Sequence, residues 1–317
     1  MRKLIAVVGP TATGKTALGV ALARGIDGEI VGADSRQVYR GMDIGTAKPR
    51  PEERALAPHH LLDVVDPDEP FSLAQYLELA TAALGDIWAR GRQPLLVGGS
   101  GQYVWALLEG WTVPRLPPQI ELRRSLEERA AREGAEALHR ELARIDPQAA
   151  AGIDPRNVRR VIRALEVYQA TGRPISYWQE KAPPGWDTLI LGLTYPRDEL
   201  YRRIDRRVDG MMQAGLVDEV RGLLAMGYSR ELPSMSGIGY REVCQHLAGE
   251  LDLPAAVARI KTATHRLARQ QATWFRRDDP RIRWLDVSGD EEAKAAVEET
   301  RVFLNKGDHV MAKGGGL

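Results

Sequence analysis

Apolar residues recur along the chain with two different periods, and the places where one replaces the other outline the fold. Residues 4–8 (LIAVV) form an unbroken apolar run ending at Gly9-Pro10, the pattern of a strand buried on both faces. From Thr16 to Arg24 the apolar positions return at helical spacing, and Gly25 supplies a stop. Strand signals reappear at Glu29–Gly32, which leads into Asp34, and at Leu95–Val97, which runs into Gly98-Gly99-Ser100-Gly101. A helical pattern over Leu73–Trp88 lies between these two. Strands alternating with helices predict an α/β core with a parallel sheet. Such sheets bind ligands beyond the C-terminal ends of their strands, where the loops after all three strands fall.

The pattern changes near residue 115. Gln119–Glu133, Ala135–Ile145 and Val158–Thr171 read as helices, bounded by the proline-rich stretches Pro114–Pro118 and Ala182–Gly185. Strand signals resume at Leu189–Thr194 and Ile282–Val287, with Asp198–Met226 and Leu253–Arg277 as long helices between them. The expected organisation is therefore a core of residues 1–114 and 187–290 interrupted by a helical insertion, 115–186. A charged C-terminal helix follows within 291–317, with a disordered end at Lys313–Leu317.

Composition narrows the function classes. A 317-residue chain that is 44% hydrophobic can bury a substantial core. Its formal net charge of +1 gives no global argument for nucleic acid, so any such site must be a local cluster. The single cysteine, Cys244, allows neither an internal disulfide nor a thiolate metal site. The first apolar run is too short for a signal peptide and no stretch approaches a membrane span. A soluble, cytoplasmic protein is expected, and a monomer.

Residues 9–16, GPTATGKT, match G-x-x-x-x-G-K-[ST] in full, directly after a strand and before a helix. Its glycines let backbone N–H groups converge on phosphate oxygens, and the helix N-terminus adds partial positive charge. The binding set is Gly9, Pro10, Thr11, Ala12, Thr13, Gly14, Lys15 and Thr16. Lys15 would reach the terminal phosphate, and the Thr16 hydroxyl would help hold Mg²⁺. This motif identifies a phosphate-chain binder without naming the reaction. Owners that split nucleoside triphosphates often end a strand in a metal-positioning carboxylate; here Leu95–Val97 ends in Gly98-Gly99-Ser100, and Asp63 and Asp66 are weaker substitutes. Asp34, at a strand end beside the loop, would be repelled by a polyphosphate and so calls for a reason. Taking a proton from an incoming nucleophile is one; capping a following helix is another.

Six segments now align in order: GPTATGKT, DSRQVYRGMDIGTAKP (34–49), GGSGQY (98–103), RRVIRALEVYQATGRP (159–174), SGIGYREV (236–243) and ATHRLARQQATWFRR (263–277). Together they resemble the tRNA dimethylallyltransferases over residues 1–285, and the block from DSRQVY to GTAKP is the most specific. The resemblance implies a P-loop-kinase-like core with an all-helical insertion that grips the tRNA anticodon stem–loop. It implies that the loop holds the diphosphate of dimethylallyl diphosphate, and that the acceptor is the exocyclic amine of the adenosine 3′ of the anticodon. In that chemistry Asp34 is the general base, and Thr11 donates to the bridging oxygen. A later-helix arginine, Arg207 with Arg203 as alternative, binds the diphosphate. Residues carried over as tRNA contacts are Asp34, Ser35, Arg36, Gln37, Gly101, Arg123, Arg159, Arg160, Val161, Ile162, Arg163, Ser236, Gly237, Ile238, Gly239, Tyr240 and Arg241.

An adenine must be extruded from its stack to reach such a site, with the surrounding loop held by charge, stacking and base edges. Two basic clusters suit this: Arg156, Arg159, Arg160 and Arg163, and the seven basic residues from Lys261 to Arg283 with Trp274 and Phe275 among them. One position departs from the family's A-K-R-Q-x-T-W: Gln270 stands where a charge is usual, which puts one backbone contact in doubt. His59-His60 are expected to be structural, and Trp105, Trp111, Trp178 and Trp186 to be packing residues. Three other readings stay open: a P-loop kinase using Asp34 on a substrate hydroxyl, prenyl transfer to free AMP or ADP, and a nucleotide-gated RNA-binding regulator without turnover.

Overall fold

A computed structural model describes residues 1–286 and 290–305. The first part of the chain runs β1 (Lys3–Val8), α1 (Lys15–Gly25), β2 (Gly28–Ala33), α2 (Pro51–Leu56), β3 (His59–His60), α3 (Leu73–Ala89), β4 (Gln93–Gly98) and α4 (Gly101–Leu108). Four helices follow, α5 (Ile120–Glu133), α6 (Ala135–Ile145), α7 (Pro147–Gly152) and α8 (Val158–Thr171), with a 3₁₀ turn at Ile175–Gln179. The chain then forms β5 (Asp187–Thr194), α9 (Arg197–Gln213), α10 (Leu216–Ala225), α11 (Tyr240–Leu247), α12 (Leu253–Trp274), β6 (Ile282–Asp286) and α13 (Asp290–Asn305).

All six strands are parallel, in the order β3-β2-β4-β1-β5-β6. β1 is central, which explains its unbroken apolar run: Leu4, Ile5, Ala6, Val7 and Val8 are wholly buried. Burial of each large aliphatic side chain contributes about 1.5–3 kcal/mol, so this strand anchors the loop that follows it. Ile5 and Val7 pack with Leu18 and Leu22 of α1 and with Leu191 and Leu193 of β5. The expected parallel α/β core is thus observed, with β3 as a two-residue edge strand that periodicity over so short a run cannot reveal.

The expected single helix over Asp198–Met226 is two. Gly215 adopts φ +97°, a left-handed conformation that ends α9 and starts α10. Likewise α12 stops at Trp274 rather than Arg277, because Phe275 leaves helical geometry and its ring is buried. α13 is helical as expected; Val287 and Lys313–Leu317 lie outside the described residues.

The chain divides into two compact units, Met1–Val104 with the chain from Gly185 on, and Trp105–Pro184. The helical unit starts earlier than the proline-rich stretch at Pro114–Pro118, because the division falls inside α4. Its own core joins Leu126 of α5, Leu138 and Leu142 of α6, Ala150 of α7 and Val161, Ile162 and Leu165 of α8. Asp146 ties α7 in place, accepting from the Ala149 N–H at 3.0 Å and the Ser176 N–H at 2.9 Å. Among the described residues, no helix is long and apolar enough to cross a membrane.

Candidate active site

The C-terminal ends of β1, β2 and β4 open onto one pocket. The phosphate loop contributes Thr11, Gly14, Lys15 and Thr16; the loop after β2 contributes Asp34 and Gln37. Gly98 and Gly99 line it from β4, and Arg207 reaches it from α9. Residues far apart in sequence and expected to act on one diphosphate are therefore brought together. Arg203, the alternative to Arg207, instead donates to the Ala12 carbonyl at 2.9 Å, with its guanidinium 4.4 Å from the Tyr195 ring centroid.

Lys15 folds back on its own loop, donating to the Pro10 carbonyl at 2.6 Å. Burial, aided by the like charge of Arg207 and opposed by Asp34, lowers its pKa to about 7. An incoming polyanion would reverse that balance. Asp34 accepts from the Arg36 N–H at 2.8 Å, closing a tight turn. No helix begins after it, so the helix-cap explanation for this carboxylate does not apply.

The loop after β2 is held from several directions. Ser35 N–H donates to Ser100 Oγ at 3.0 Å, tying it to the loop after β4. Arg36 donates to the Pro233 and Ser234 carbonyls, which places it against the SGIGY segment. Gln37 donates its amide to the Thr46 and Ala47 carbonyls at 3.2 and 3.1 Å. Two anchors of this loop escaped the sequence reading. Lys48 is almost wholly buried, bonded to the Tyr39 carbonyl, Asp43 and Asp63. Glu219 of α10 accepts from the N–H groups of Asp43, Ile44 and Gly45 and from the Tyr240 hydroxyl. A Glu in an amphipathic helix gives no sequence signal that it will hold a loop more than 170 residues away.

In the SGIGY segment Ser236 and Arg241 are exposed, and Ile238 partly so; Gly237, Gly239 and Tyr240 are buried. The Tyr240 hydroxyl is spent on Glu219, so that side chain acts by support rather than by touching a ligand. In the helical unit Val161 and Ile162 belong to the core, so the contacts expected of them reduce to holding α8. Arg123 and Arg163 share the buried carboxylate of Glu166 at 2.6–2.9 Å. Burial pushes Glu166 up, but the bonds from Arg123, Arg163 and the Gln119 N–H outweigh it and hold the carboxyl below its ordinary value. Arg159 and Arg160 are exposed and bond to no carboxylate among the described residues.

The cluster around α12 is different. Lys261 pairs with Asp209, Arg276 with Asp278, Arg281 with Asp279 and Arg283 with Glu299. Arg269 and Arg277 donate to Tyr201 and Thr194 hydroxyls, which leaves Arg266, also exposed, as the cation of the group with no such bond among the described residues. His60 bonds to Glu29 at 2.7 Å and His59 to the Ala57 carbonyl at 2.8 Å. Trp105 is buried and Trp186 packs against Trp88.

This arrangement can be set beside known proteins. The IPP transferase family model matches residues 37–278, and the Isopentenyl transferase model residues 2–59. The chain belongs to the tRNA dimethylallyltransferase family. It is 60% identical over 277 residues to the tRNA dimethylallyltransferase of Roseiflexus sp. strain RS-1, covering 87% of this chain and 91% of that one. It is 50% identical to the protein of that description from Thermomicrobium roseum, covering 99% and 97%. Among solved structures, the tRNA isopentenylpyrophosphate transferase of Bacillus halodurans superposes with a TM-score of 0.72 at 42% identity, covering 96% of this chain and 98% of that one. A eukaryotic dimethylallyltransferase acting on tRNA gives a TM-score of 0.78 at 27% identity, covering 98% and 80%. Family membership thus extends over both units, and the phosphate loop in this family belongs to a prenyltransferase.

Proposed function

We propose that the pocket binds dimethylallyl diphosphate through the phosphate loop and presents its C1 carbon to an adenine flipped out of a tRNA anticodon loop. The chain is a prenyltransferase of its family. It transfers a dimethylallyl group from dimethylallyl diphosphate to the exocyclic amine of the adenosine 3′ of the anticodon, releasing diphosphate. The observation that best supports the assigned residues is the meeting of Lys15, Arg207 and Asp34 in one pocket, two cations and a carboxylate beside a phosphate loop.

The adenine amine is a weak nucleophile because its lone pair is delocalised into the ring. Attack of N6 on C1 breaks the bond from C1 to the bridging oxygen. Asp34 takes the amine proton, while Lys15 and Arg207 stabilise the charge gathering on the leaving diphosphate. The Thr11 hydroxyl donates to the bridging oxygen as that bond lengthens. Thr16 would hold a divalent ion, Mg²⁺ in our reading, whose charge offsets that of the diphosphate. The donors fit such an ion: a hydroxyl and a carboxylate line the pocket, and Mg²⁺ commonly takes one or two protein oxygens with phosphate oxygens and water. No group of three or more His, Cys, Asp or Glu side chains able to cage a metal occurs among the described residues.

Arg159 and Arg160 would meet phosphates of the anticodon stem–loop, with Arg163 steadying the same helix through Glu166, and Asp34–Gln37 with Ser236, Ile238 and Arg241 would meet the flipped base and its neighbours. A cytoplasmic monomer is part of the reading. Incubation with radiolabelled dimethylallyl diphosphate, Mg²⁺ and unmodified tRNA tests it, with AMP and ATP offered separately. Label should enter tRNA alone; label in AMP with none in tRNA would overturn the acceptor assignment.

A further inference from the structure

Three segments that build the pocket meet at one side chain. Gln271 of α12 accepts from the Thr11 N–H through Oε1 at 2.8 Å and donates from Nε2 to the Gly99 carbonyl at 3.0 Å. It also lines the pocket. A side-chain amide suits the place, because it offers an acceptor and a donor from one planar head. The close approach depends on glycine at two points. A Cβ on Gly99 would press on the Gln271 amide nitrogen, and one on Gly101 would run into the Trp274 ring. α12 is also seated against the loop by packing, since Ala268 shares an apolar cluster with Ala12 and Ile204.

The loop needs holding. Ala12 adopts φ +65°, a left-handed conformation that a residue with a Cβ occupies at a cost unless its surroundings impose it. Two bonds from distant helices impose it: Gln271 takes the N–H of Thr11, and Arg203 donates to the carbonyl of Ala12. Release of either would let the loop relax toward an ordinary backbone conformation and turn the Thr11 side chain with it. The Thr11 N–H is also already taken, so this amide belongs to the loop's scaffold rather than to its phosphate cradle.

We propose that Gln271 is a positioning residue for the transfer step: by fixing the Thr11 backbone from α12, it keeps the Thr11 hydroxyl aimed at the bridging oxygen of the allylic diphosphate. This rests on the reading of Thr11 given above. The hydroxyl donates a hydrogen bond and transfers no proton; Gln271 touches neither substrate's reacting atoms.

A double-mutant cycle tests it. Gln271→Met keeps side-chain length and removes both bonds; Thr11→Val removes the hydroxyl and keeps the shape. Single-turnover rates are measured at saturating tRNA and dimethylallyl diphosphate, alongside pyrophosphate affinity and melting temperature. Thr11→Val should slow transfer roughly 10²-fold, the order expected for one lost donor to a departing oxygen. Gln271→Met should slow it about tenfold while pyrophosphate affinity holds within about twofold, and should cost nothing further in the Thr11→Val background. Losses that multiply in the double variant would overturn the proposal, since Gln271 would then act independently of Thr11. A Thr11→Val enzyme with full rate would remove the reading of Thr11 and the proposal with it, a different result from the first. Should Gln271→Met fail to fold, Gln271→Asn, too short to span both partners, is read in the same cycle.

Discussion

Lys15 and Arg207 line one pocket, and neither is bonded to a carboxylate among the described residues; Lys15 leans on a backbone carbonyl instead. In the helical unit Arg123 and Arg163 sit on Glu166, a carboxylate with no exposure, while Arg159 and Arg160 face solvent. The first region keeps desolvated positive charge without a bonded counter-ion, Asp34 offsetting it only in part, and the second either neutralises it or leaves it hydrated. A desolvated cation with no bonded counter-ion is a cost to the empty fold that an anionic ligand removes. A hydrated arginine costs nothing to keep and gains only by releasing counterions from a nucleic acid. On the reading proposed above, the pocket suits chemistry on a small polyanion and the exposed face of α8 suits grip on RNA.

Substitutions can break or sharpen this contrast. The largest effect is expected at Asp34. Asp34→Asn preserves the acceptor for the Arg36 N–H, and with it the turn, but cannot take a proton. Its single-turnover rate should fall by roughly 10²–10⁴-fold, with diphosphate affinity held or improved. A near-normal rate would remove the carboxylate from the mechanism.

Next is Lys15→Met, which should weaken pyrophosphate binding by roughly 10–100-fold, the worth of a charged hydrogen bond. The same variant should melt higher than the parent when both are empty. The sign follows from the lowered pKa: the unfolded lysine holds its proton up to about 10.5 while the folded one loses it near 7. The unfolded state thus binds more protons between these values, so the parent gains stability as pH rises from 7 to 10. The gap in melting temperature should be widest at or below pH 7 and close toward pH 10. A gap that does not change with pH would show that Lys15 is not strained.

Charge reversal at Arg159 and Arg160, the two that bond to no carboxylate among the described residues, should lower tRNA affinity about tenfold at moderate salt and flatten the salt dependence by nearly one logarithmic unit per lost phosphate contact. Pyrophosphate affinity should stay unchanged. An unaltered slope would deny α8 its place in RNA binding. The smallest effects belong to the paired cations around α12: Lys261→Ala and Arg276→Ala should leave tRNA affinity within about twofold, because each already spends its charge on Asp209 or Asp278. A tenfold loss at either would erase the distinction between paired and free cations.

Much of this was legible before any coordinates. β1, β2 and β4 announced themselves through apolar runs ending in glycine or aspartate, and GPTATGKT through its spacing. The two basic clusters looked alike in sequence, because formal charge does not show which carboxylate folds back on which cation. Asp209 lies 52 residues from Lys261, so their pairing is a product of α9 meeting α12. Gln271 and Glu219 were invisible for a related reason: each does its work on backbone atoms of a distant segment, and a backbone partner leaves no mark in the sequence. The break at Gly215 did have a local signal, a glycine inside a helical pattern, which amphipathic spacing on both sides concealed.

The helical unit closes on itself where its chain begins and ends. Its entering and leaving segments are zipped by an antiparallel bridge between Trp111 and Lys181, with Ala182 N–H donating to the Gly110 carbonyl at 2.9 Å and Thr112 N–H to the Glu180 carbonyl at 3.1 Å. The two severed ends of an excised cassette would thus already be neighbours. Cutting there would leave the remaining chain a gap that one tight turn can close, and would leave the cassette two termini that need no linker to meet. In evolutionary and engineering terms the bridge is a splice site: another set of helices could be exchanged through it without re-registering a strand of the sheet.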